Sequence, residues 1–217
     1  MMPLFARRLP IMKSTSAPST IRNREKRVKQ SGVLIAVVGP SGVGKDALLS
    51  GALERLPQVH FLRRTITRPA DAGGERHLAV TSAEFRALQE RRKFLFHWEA
   101  HDLSYGIPIE AESLVSKGHA VVFNGSRHAL VQQRDAWPGL RVIWVTADIA
   151  IRAERLAQRG RETVADIRKR LATSEVEMPA DAIVVKNDGS LEAGVQQMQT
   201  AISNLAFRHQ VEAIEQP

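Results

Sequence analysis

Residues 33–49 read VLIAVVGPSGVGKDALL and place three patterns in direct succession. The first six residues are apolar and mostly β-branched, which is typical of a strand covered on both faces of a parallel sheet. A glycine-rich turn follows, and from Lys45 onward apolar residues recur at helical spacing up to Leu56, directly before Pro57. The stretch therefore predicts a buried strand, a tight turn and an amphipathic helix that ends before Pro57.

The turn has the form G-x-x-x-x-G-K, with Asp46 where this pattern usually has Ser or Thr. Its glycines allow backbone N–H groups to point inward around phosphate oxygens, and the N-terminus of the following helix adds partial positive charge. The ammonium group of Lys45 can reach the β- and γ-phosphates of a nucleotide. We therefore predict a nucleotide-binding loop. Its residues are Gly39, Pro40, Ser41, Gly42, Val43, Gly44, Lys45 and Asp46.

Asp46 has two interpretations. A carboxylate is a hard oxygen ligand, so Asp46 can bind Mg²⁺ directly or through a water molecule. Alternatively, an acidic residue in the first turn only interacts favourably with the helix dipole and leaves the metal to the phosphates. We expect a metal contact and keep the second interpretation open.

Outside this stretch, strand-like and helical patterns alternate along the chain. Residues 120–123, Arg141–Thr146 and 182–185 are compact, largely β-branched runs that suit inner strands of a parallel sheet. Helical periodicity lies between these runs. The alternation predicts an α/β fold, in which a parallel sheet is flanked by helices.

Several residues mark helix ends. Thr81 and Glu84 have the spacing of a capping box, Pro108 suits a first helical residue, and Gly118 suits the residue after a helix. Asp148 follows a strand-like run and is expected to cap the next helix rather than to bind metal. The last helix is predicted to bury one apolar face. That face consists of Leu191, Val195, Met198, Ile202 and Leu205.

The composition excludes several classes of protein. The 217 residues contain no cysteine, which rules out a disulfide scaffold and a Cys-based metal site. No run approaches the roughly 18 to 20 apolar residues of a membrane span, so we expect a cytoplasmic protein without a membrane partner. A homodimer is compatible with the sequence, which does not fix the oligomeric state.

The net charge of +8 is concentrated at one end of the chain. Residues 1–30 hold eight Lys and Arg residues and one Glu, are rich in Ser, Thr and Pro, and show no sustained period. We predict a disordered basic extension over residues 1–31 and one folded domain over residues 32–217. A nucleic-acid partner would rest on this extension alone, and we therefore expect none.

Further segments resemble the guanylate kinase family. They are TITRP at residues 65–69, SYG at 104–106, RLAQRG at 155–160, IRKRL at 167–171 and KND at 186–188. The resemblance implies a P-loop NTPase fold of the guanylate kinase type, with a small substrate-binding insertion and a helical lid. The implied core covers residues 32–62, 107–147 and 173–217, the acceptor-binding region residues 63–106, and the lid residues 148–172.

The same resemblance implies functional roles. Arg68 would hold the acceptor phosphate and Tyr105 would donate its hydroxyl to it, ATP would be the donor, and lid arginines would close over the transferring phosphoryl group. Asn187 would contact adenine. The implied catalytic residues are Lys45, Arg68, Arg155, Arg159 and Arg170.

Two departures from the family pattern bear on the acceptor. By spacing from Tyr105, the Glu and Ser that read guanine in guanylate kinases fall on Phe96 and Ile107. A site that recognises a base edge needs polar partners, which these side chains cannot supply. We therefore expect no guanine recognition.

The altered motifs resemble one branch, the ribose 1,5-bisphosphate phosphokinases of phosphonate degradation. The matching segments are GPSGVGKD, ITRPA, ERH at residues 75–77, SYG and NGSR at residues 124–127. The resemblance implies transfer of the ATP γ-phosphoryl group to ribose 1,5-bisphosphate, giving 5-phospho-α-D-ribose 1-diphosphate and ADP. The implied substrate-binding residues are Arg68, His77, Tyr105, Asn124, Ser126 and Arg127.

Two alternatives remain at this point. The first is a guanylate kinase or another nucleoside monophosphate kinase with unusual acceptor residues. The second is a non-catalytic binding module of the guanylate kinase type. The intact Gly44 and Lys45 argue against the second alternative, because a binding module does not need a phosphate loop.

Overall fold

The computed structural model describes residues 32–71, 75–158 and 176–214, without the side chains of residues 207–214. The predicted basic extension lies outside the described residues, as does most of the predicted lid. In chain order the elements are β1 (Val33–Val38), α1 (Lys45–Glu54), β2 (His60–Leu62), β3 (Thr65–Ile66), β4 (Leu78–Ala79), α2 (Ser82–Glu90), β5 (Phe94–Ala100), β6 (Leu103–Pro108), α3 (Glu110–Ser116), β7 (Ala120–Asn124), α4 (Leu130–Ala136), β8 (Arg141–Thr146), α5 (Ile149–Gln158), β9 (Ile183–Lys186) and α6 (Leu191–Ile214).

A parallel sheet forms the centre of the fold, as the alternation of patterns predicts. Within the described part of the chain its strand order is β2-β7-β1-β8-β9, and every neighbouring pair is parallel. All six residues of β1 are buried, because β1 is the central strand and both of its faces are covered. Its carboxyl end therefore delivers the glycine-rich turn to the middle of the sheet edge, where ligands bind in open α/β sheets.

The two faces of β1 belong to two apolar clusters. Val33, Ile35 and Val37 pack with α1 and α6 in one cluster. Leu34 and Ala36 point to the other face and pack with residues of α3, α4 and the second sheet. The core thus places α1 and α6 on one side of the sheet, and α3, α4 and the second sheet on the other.

Most of a second sheet lies within residues 63–106, the predicted acceptor-binding region, and the sequence patterns did not indicate it. Its order is β4-β3-β6-β5, with β5 and β6 joined as an antiparallel hairpin. At the hairpin turn His101 and Asp102 have positive φ angles of 53° and 59°. This sheet places Tyr105, in β6, within the apolar cluster that covers one face of the parallel sheet.

Most predicted element ends are confirmed. Thr81 and Glu84 form both hydrogen bonds of a capping box, and Gly118, with φ of 89°, follows the end of α3. The prediction for Pro108 is wrong: it is the last residue of β6 and the register partner of Phe94, so α3 begins only at Glu110. Strand pairing overrides the preference of proline for a first helical turn, since a strand end also tolerates proline.

The helices of the described residues include none that is both long enough and apolar enough to span a bilayer.

Candidate active site

The glycine-rich turn lies between β1 and α1, as predicted. Gly44 is the N-cap of α1 and has a left-handed backbone with φ of 86°, and Gly42 has φ of 82°. A Cβ atom at Gly44 would lie 2.7 Å from Nδ2 of Asn187. Glycine is therefore required at this position both by conformation and by space.

Lys45 bends back into the turn. Its Nζ donates hydrogen bonds to the carbonyl oxygens of Gly39, at 2.9 Å, and Pro40, at 3.4 Å. Removal from water lowers the pKa of Lys45 from 10.5 to about 8. Asp46 opposes this decrease, and the positive charges of Arg64 and Arg127 add to it. The ammonium group lacks a carboxylate hydrogen-bond partner among the described residues, so a phosphate group would stabilise its charged form.

Asn187 packs against the glycine-rich turn at Val43 and Gly44. It follows β9, is 3% exposed, and its Nδ2 donates a 2.7 Å hydrogen bond to the carbonyl oxygen of Val43. Its Oδ1 is buried and has no hydrogen-bond partner among the residues that the structure describes. Beside it opens a cavity of about 370 Å³. The cavity is lined by Gly42, Gly44, Ala47, Arg155, Gln158, Asn187 and Leu191.

The described part of the predicted lid is α5. Arg155 lies on this helix, and its Nη1 is buried without a hydrogen-bond partner in the described ranges. The structure thus brings Arg155 to the rim of the glycine-rich turn. Arg159 and Arg170 lie outside the described residues, and their roles stay predictions. Asp148 caps α5 as predicted, because its side chain accepts a 2.8 Å hydrogen bond from the backbone N–H of Ala150.

Asn124 joins the acceptor-binding region to the nucleotide loop. It is the last residue of β7, and its Nδ2 donates a 2.8 Å hydrogen bond to Oδ1 of Asp46 and a second one to Oε2 of Glu75. Glu75 in turn forms an ion pair with Arg64, with 2.6 Å between Nη2 and Oε1. Four residues that are far apart in the chain therefore form one polar network at the edge of the parallel sheet.

Arg64 also organises the aromatic residues of the second sheet. Its guanidinium lies 4.9 Å from the ring centre of Tyr105, which is stacked on Trp98 at 5.4 Å. The ring of Tyr105 is thus held by packing as well as being placed near the acceptor side. The sequence motifs gave Glu75 no role and did not include Arg64, whose only signal is its position just after β2.

Arg68 and His77 are brought together, as the resemblance implies for the acceptor-binding residues. Nη2 of Arg68 lies 3.3 Å from Nδ1 of His77, and Nε2 of His77 lies 3.0 Å from the carbonyl oxygen of Arg68. Nε of Arg68 is buried and finds no hydrogen-bond partner among the described residues. The two side chains form a compact polar pair between β3 and β4.

The turn after β7 holds the remaining predicted substrate-binding residues. Ser126 is partly buried, and its carbonyl oxygen accepts a hydrogen bond from Ala129. Arg127 is only 9% exposed, and its guanidinium lies 6.0 Å from the ring centre of Trp144. Close to it, Arg152 of α5 is 5% exposed, and no role was predicted for this residue.

The positions of the guanine-reading residues are apolar core. Phe96 and Ile107 are register partners on β5 and β6, with exposures of 5% and 0%. Phe96 also contacts Phe123 of the parallel sheet, with ring centres 5.9 Å apart. No polar group is presented there by either side chain.

Two carboxylates, those of Asp46 and Glu75, lie near the glycine-rich turn and are candidate metal ligands. Across the described ranges no group of three or more His, Cys, Asp or Glu residues could hold a metal ion. Asp46 and Glu75 are nevertheless close, since both accept from one amide group. Such hard oxygen ligands suit Mg²⁺, which usually takes one or two carboxylates and the phosphates of its substrate.

Comparison with known proteins agrees with this geometry. The sequence profile described as guanylate kinase matches residues 31–205. The chain belongs to the guanylate kinase family. A crystal structure of guanylate kinase from Anaplasma phagocytophilum superposes with a TM-score of 0.54 at 16% identity, covering 85% of this chain and 87% of that one. That similarity supports the fold alone, and the predicted P-loop NTPase fold is confirmed.

Several curated relatives have the name of ribose 1,5-bisphosphate phosphokinase. A ribose 1,5-bisphosphate phosphokinase of Rhizobium etli is 45% identical over 81% of this chain and 92% of its own length. The protein of the same name in Ruegeria sp. is 44% identical over 79% of this chain and 92% of its own. The resemblance to this branch, inferred from the motifs, is confirmed.

Proposed function

We propose that the protein transfers the γ-phosphoryl group of ATP to the 1-phosphate of ribose 1,5-bisphosphate, forming 5-phospho-α-D-ribose 1-diphosphate and ADP. The observation that carries the proposal is the pairing of Phe96 with Ile107. The phosphate-binding loop is kept, while the place for reading a base edge is filled with apolar side chains. An acceptor with phosphates and no base fits this combination, and the names of the relatives agree with it.

The chemistry requires positioning and charge stabilisation rather than a general base. An oxygen of the acceptor phosphate is already anionic and attacks the γ-phosphorus, while the bond from that phosphorus to the bridging oxygen breaks and ADP leaves. Lys45 would stabilise the charge on the β- and γ-phosphates, and Arg155 would add charge from α5. Arg159 and Arg170 are proposed to do the same from the lid.

The acceptor is proposed to bind between the second sheet and the turn after β7. Arg68 and His77 form one cationic contact, and Asn124 and Ser126 offer hydrogen-bonding groups at the end of β7. Tyr105 is proposed to complete the acceptor side. Asn187 and the cavity beside it are proposed to hold adenine, because its buried Oδ1 lacks a partner in the described chain and can accept from an exocyclic amine.

Membership of a kinase family implies ATP and, as a rule, a divalent metal ion, for which we propose Mg²⁺. When bound, Mg²⁺ neutralises charge on the phosphates of ATP. Asp46 is the residue proposed to hold it, with Glu75 nearby. The hydrogen bonds from Asn124 would fix both carboxylates.

A homodimer, which is compatible with the sequence, stays a prediction. We propose a cytoplasmic location, since ATP and phosphorylated sugars are cytoplasmic metabolites.

The direct test offers two acceptors to the same protein. Purified protein is incubated with ATP, MgCl₂ and either ribose 1,5-bisphosphate or GMP, and ³¹P NMR follows the diphosphate product together with ADP. We expect turnover of the sugar bisphosphate and little of GMP. Robust turnover of GMP alone would establish the nucleoside monophosphate kinase instead. The Lys45→Ala variant, checked for folding by circular dichroism, serves as the inactive control.

A further inference from the structure

Two buried guanidinium groups lie between the nucleotide side and the acceptor side of the site. Arg127 follows β7 and is 9% exposed, and Arg152 lies on α5 and is 5% exposed. We call these two residues the arginine pair. Nε of Arg152 donates a 3.0 Å hydrogen bond to the carbonyl oxygen of Ser41, in the tip of the glycine-rich turn. Arg152 therefore contacts the glycine-rich turn from the adjoining helix, while Arg127 lies at the adjoining strand end.

The positive charge of the arginine pair is not balanced by the described protein. No carboxylate in the described ranges forms a salt bridge with either guanidinium. Nη2 of Arg152 is buried and has no hydrogen-bond partner there. Burying a charge without a partner is costly, so a site of this kind calls for an anion.

The two guanidinium groups also act on each other. Burial lowers the pKa of both arginines, and the charge of Arg152 lowers that of Arg127 further. Arg127 acts in the same way on Lys45. Arg127 thus lies close enough to repel both Arg152 and Lys45. A tetrahedral oxyanion placed beside the arginine pair would relieve the repulsion and accept from Nη2 of Arg152, which lacks a partner among the described residues.

The neighbours of the pair indicate which anion this is. Ser41 lies in the loop that holds the phosphates of the donor, and α5 packs directly on that loop, because a Cβ at Gly42 would lie 2.8 Å from the carbonyl oxygen of Arg152. Arg127 rests on Trp144, which belongs to the same apolar cluster as Tyr105 on the acceptor side. Arg152 therefore contacts the loop of the donor, and Arg127 lies in the turn after β7, next to Asn124 and Ser126, which are proposed to bind the acceptor.

We propose that Arg127 and Arg152 form an anion subsite that binds the γ-phosphoryl group while it passes from ATP to the acceptor. The inference rests on the proposed function and adds to it a catalytic residue, Arg152, and a role for Arg127 beyond acceptor binding. Both guanidinium groups are held by contacts within the described protein, Arg152 by the carbonyl oxygen of Ser41 and Arg127 by the ring of Trp144.

Steady-state kinetics of Arg152→Gln test the proposal. A donor that acts mainly on the transferring group changes kcat more than KM. We expect kcat to fall about 100- to 1000-fold, as for removal of one oxyanion donor, with both KM values within about threefold. Arg152→Lys keeps the positive charge but loses the two parallel N–H donors of the guanidinium group. Its kcat should therefore lie between those of the wild type and Arg152→Gln. Arg86→Gln, at an exposed arginine of α2, is the matched control and should retain full activity.

A binding measurement removes the dependence on turnover. In a complex with MgADP and the acceptor, aluminium fluoride mimics the transferring γ-phosphoryl group. Calorimetry then gives the affinity for MgADP with and without aluminium fluoride. The wild type should bind MgADP at least tenfold more tightly with fluoroaluminate, and Arg152→Gln should lose this gain while its affinity for MgADP alone stays unchanged.

Other results would overturn the subsite. An increase in the KM of the acceptor at unchanged kcat would assign the pair to ground-state acceptor binding. If Arg152→Gln binds MgADP more weakly and melts at a lower temperature, Arg152 only stabilises the glycine-rich turn and does not bind the transferring group. If the wild type turns over another phosphate acceptor and not ribose 1,5-bisphosphate, the proposed function is wrong, and the same comparison with that acceptor still tests the subsite.

Discussion

Asn124 and Asp46 are joined by a 2.8 Å hydrogen bond from Nδ2 to Oδ1, and the same amide group also donates to Glu75. One neutral donor therefore separates two carboxylates beside the phosphate loop. Asn124→Asp would replace that donor with a third carboxylate. We expect a lower melting temperature without divalent cations and a larger increase on adding MgCl₂ than in the wild type, because the cation offsets the repulsion.

The melting temperatures of the wild type and Asn124→Asp are measured in MgCl₂ and in NaCl of equal ionic strength. Asn204→Asp, at an exposed position of α6, serves as the control. An equal response of both variants to Mg²⁺ would contradict the expectation.

The depressed pKa of Lys45 predicts that ATP binding is coupled to proton uptake. Its pKa of about 8 means that the free protein loses this charge as the pH rises through about 8. A bound triphosphate favours the charged form, so binding near pH 8 should take up a fraction of a proton, and affinity should fall between about pH 7 and pH 9. In the unfolded chain the lysine keeps its proton up to about 10.5. The free protein should therefore gain stability from this group as the pH rises from about 8 to 10.5.

Calorimetric titration with ATP in buffers of different ionisation enthalpy measures the proton uptake. Lys45→Arg keeps its charge throughout this pH range and should show no uptake from this position. Equal uptake in that variant would assign the proton to another group.

Gly44→Ala tests whether the loop conformation is needed for binding. The methyl group would meet Nδ2 of Asn187 at 2.7 Å and would occupy a left-handed backbone. We expect about 1 to 3 kcal/mol less stability in urea unfolding, and a Kd for ADP raised at least tenfold. Gly189→Ala is the control, because no atom lies within 4 Å of the added methyl. Similar effects of both substitutions would show that the clash with Asn187 is relieved at little cost.

The ion pair between Arg64 and Glu75 should matter more than an exposed pair. Both side chains are mostly buried, with 15% and 9% exposed, so Arg64→Met would leave the carboxylate of Glu75 without its cation and cost about 3 to 5 kcal/mol. The double variant with Glu75→Gln should recover part of the loss. Urea unfolding of the two single variants and the double variant gives the coupling.

The exposed pair of Arg55 and Glu192 provides the comparison, with exposures of 40% and 69%. The corresponding two single variants and double variant of this exposed pair should give a much smaller coupling free energy. Equal couplings in the two cycles would mean that the buried network contributes no more than surface charges.

The parts of the site that the sequence predicts are those that depend on neighbours in the chain. The strand, turn and helix around Lys45 follow from residues 33–56, and β1 has the predicted bounds Val33–Val38. Pro108 shows the limit of local preference, because pairing with Phe94 keeps it in a strand.

The polar network could not be predicted in this way. Asp46, Glu75 and Asn124 meet only because β7 lies beside β1 and the second sheet folds over both. Arg152 lies one helical turn before the predicted Arg155, yet nothing in the sequence indicates that α5 packs on the loop at Ser41. Contacts set by strand order leave no short pattern in a sequence.

The pairing of Phe96 with Ile107 limits how acceptor choice could change during evolution. The two residues oppose each other across β5 and β6, inside the apolar cluster. A glutamate or serine at only one of them would lie against an apolar partner, with its hydrogen bonds unmet and the fold weakened. A step toward a base-reading site therefore also needs polar partners for each new side chain, so several residues of this cluster have to change together.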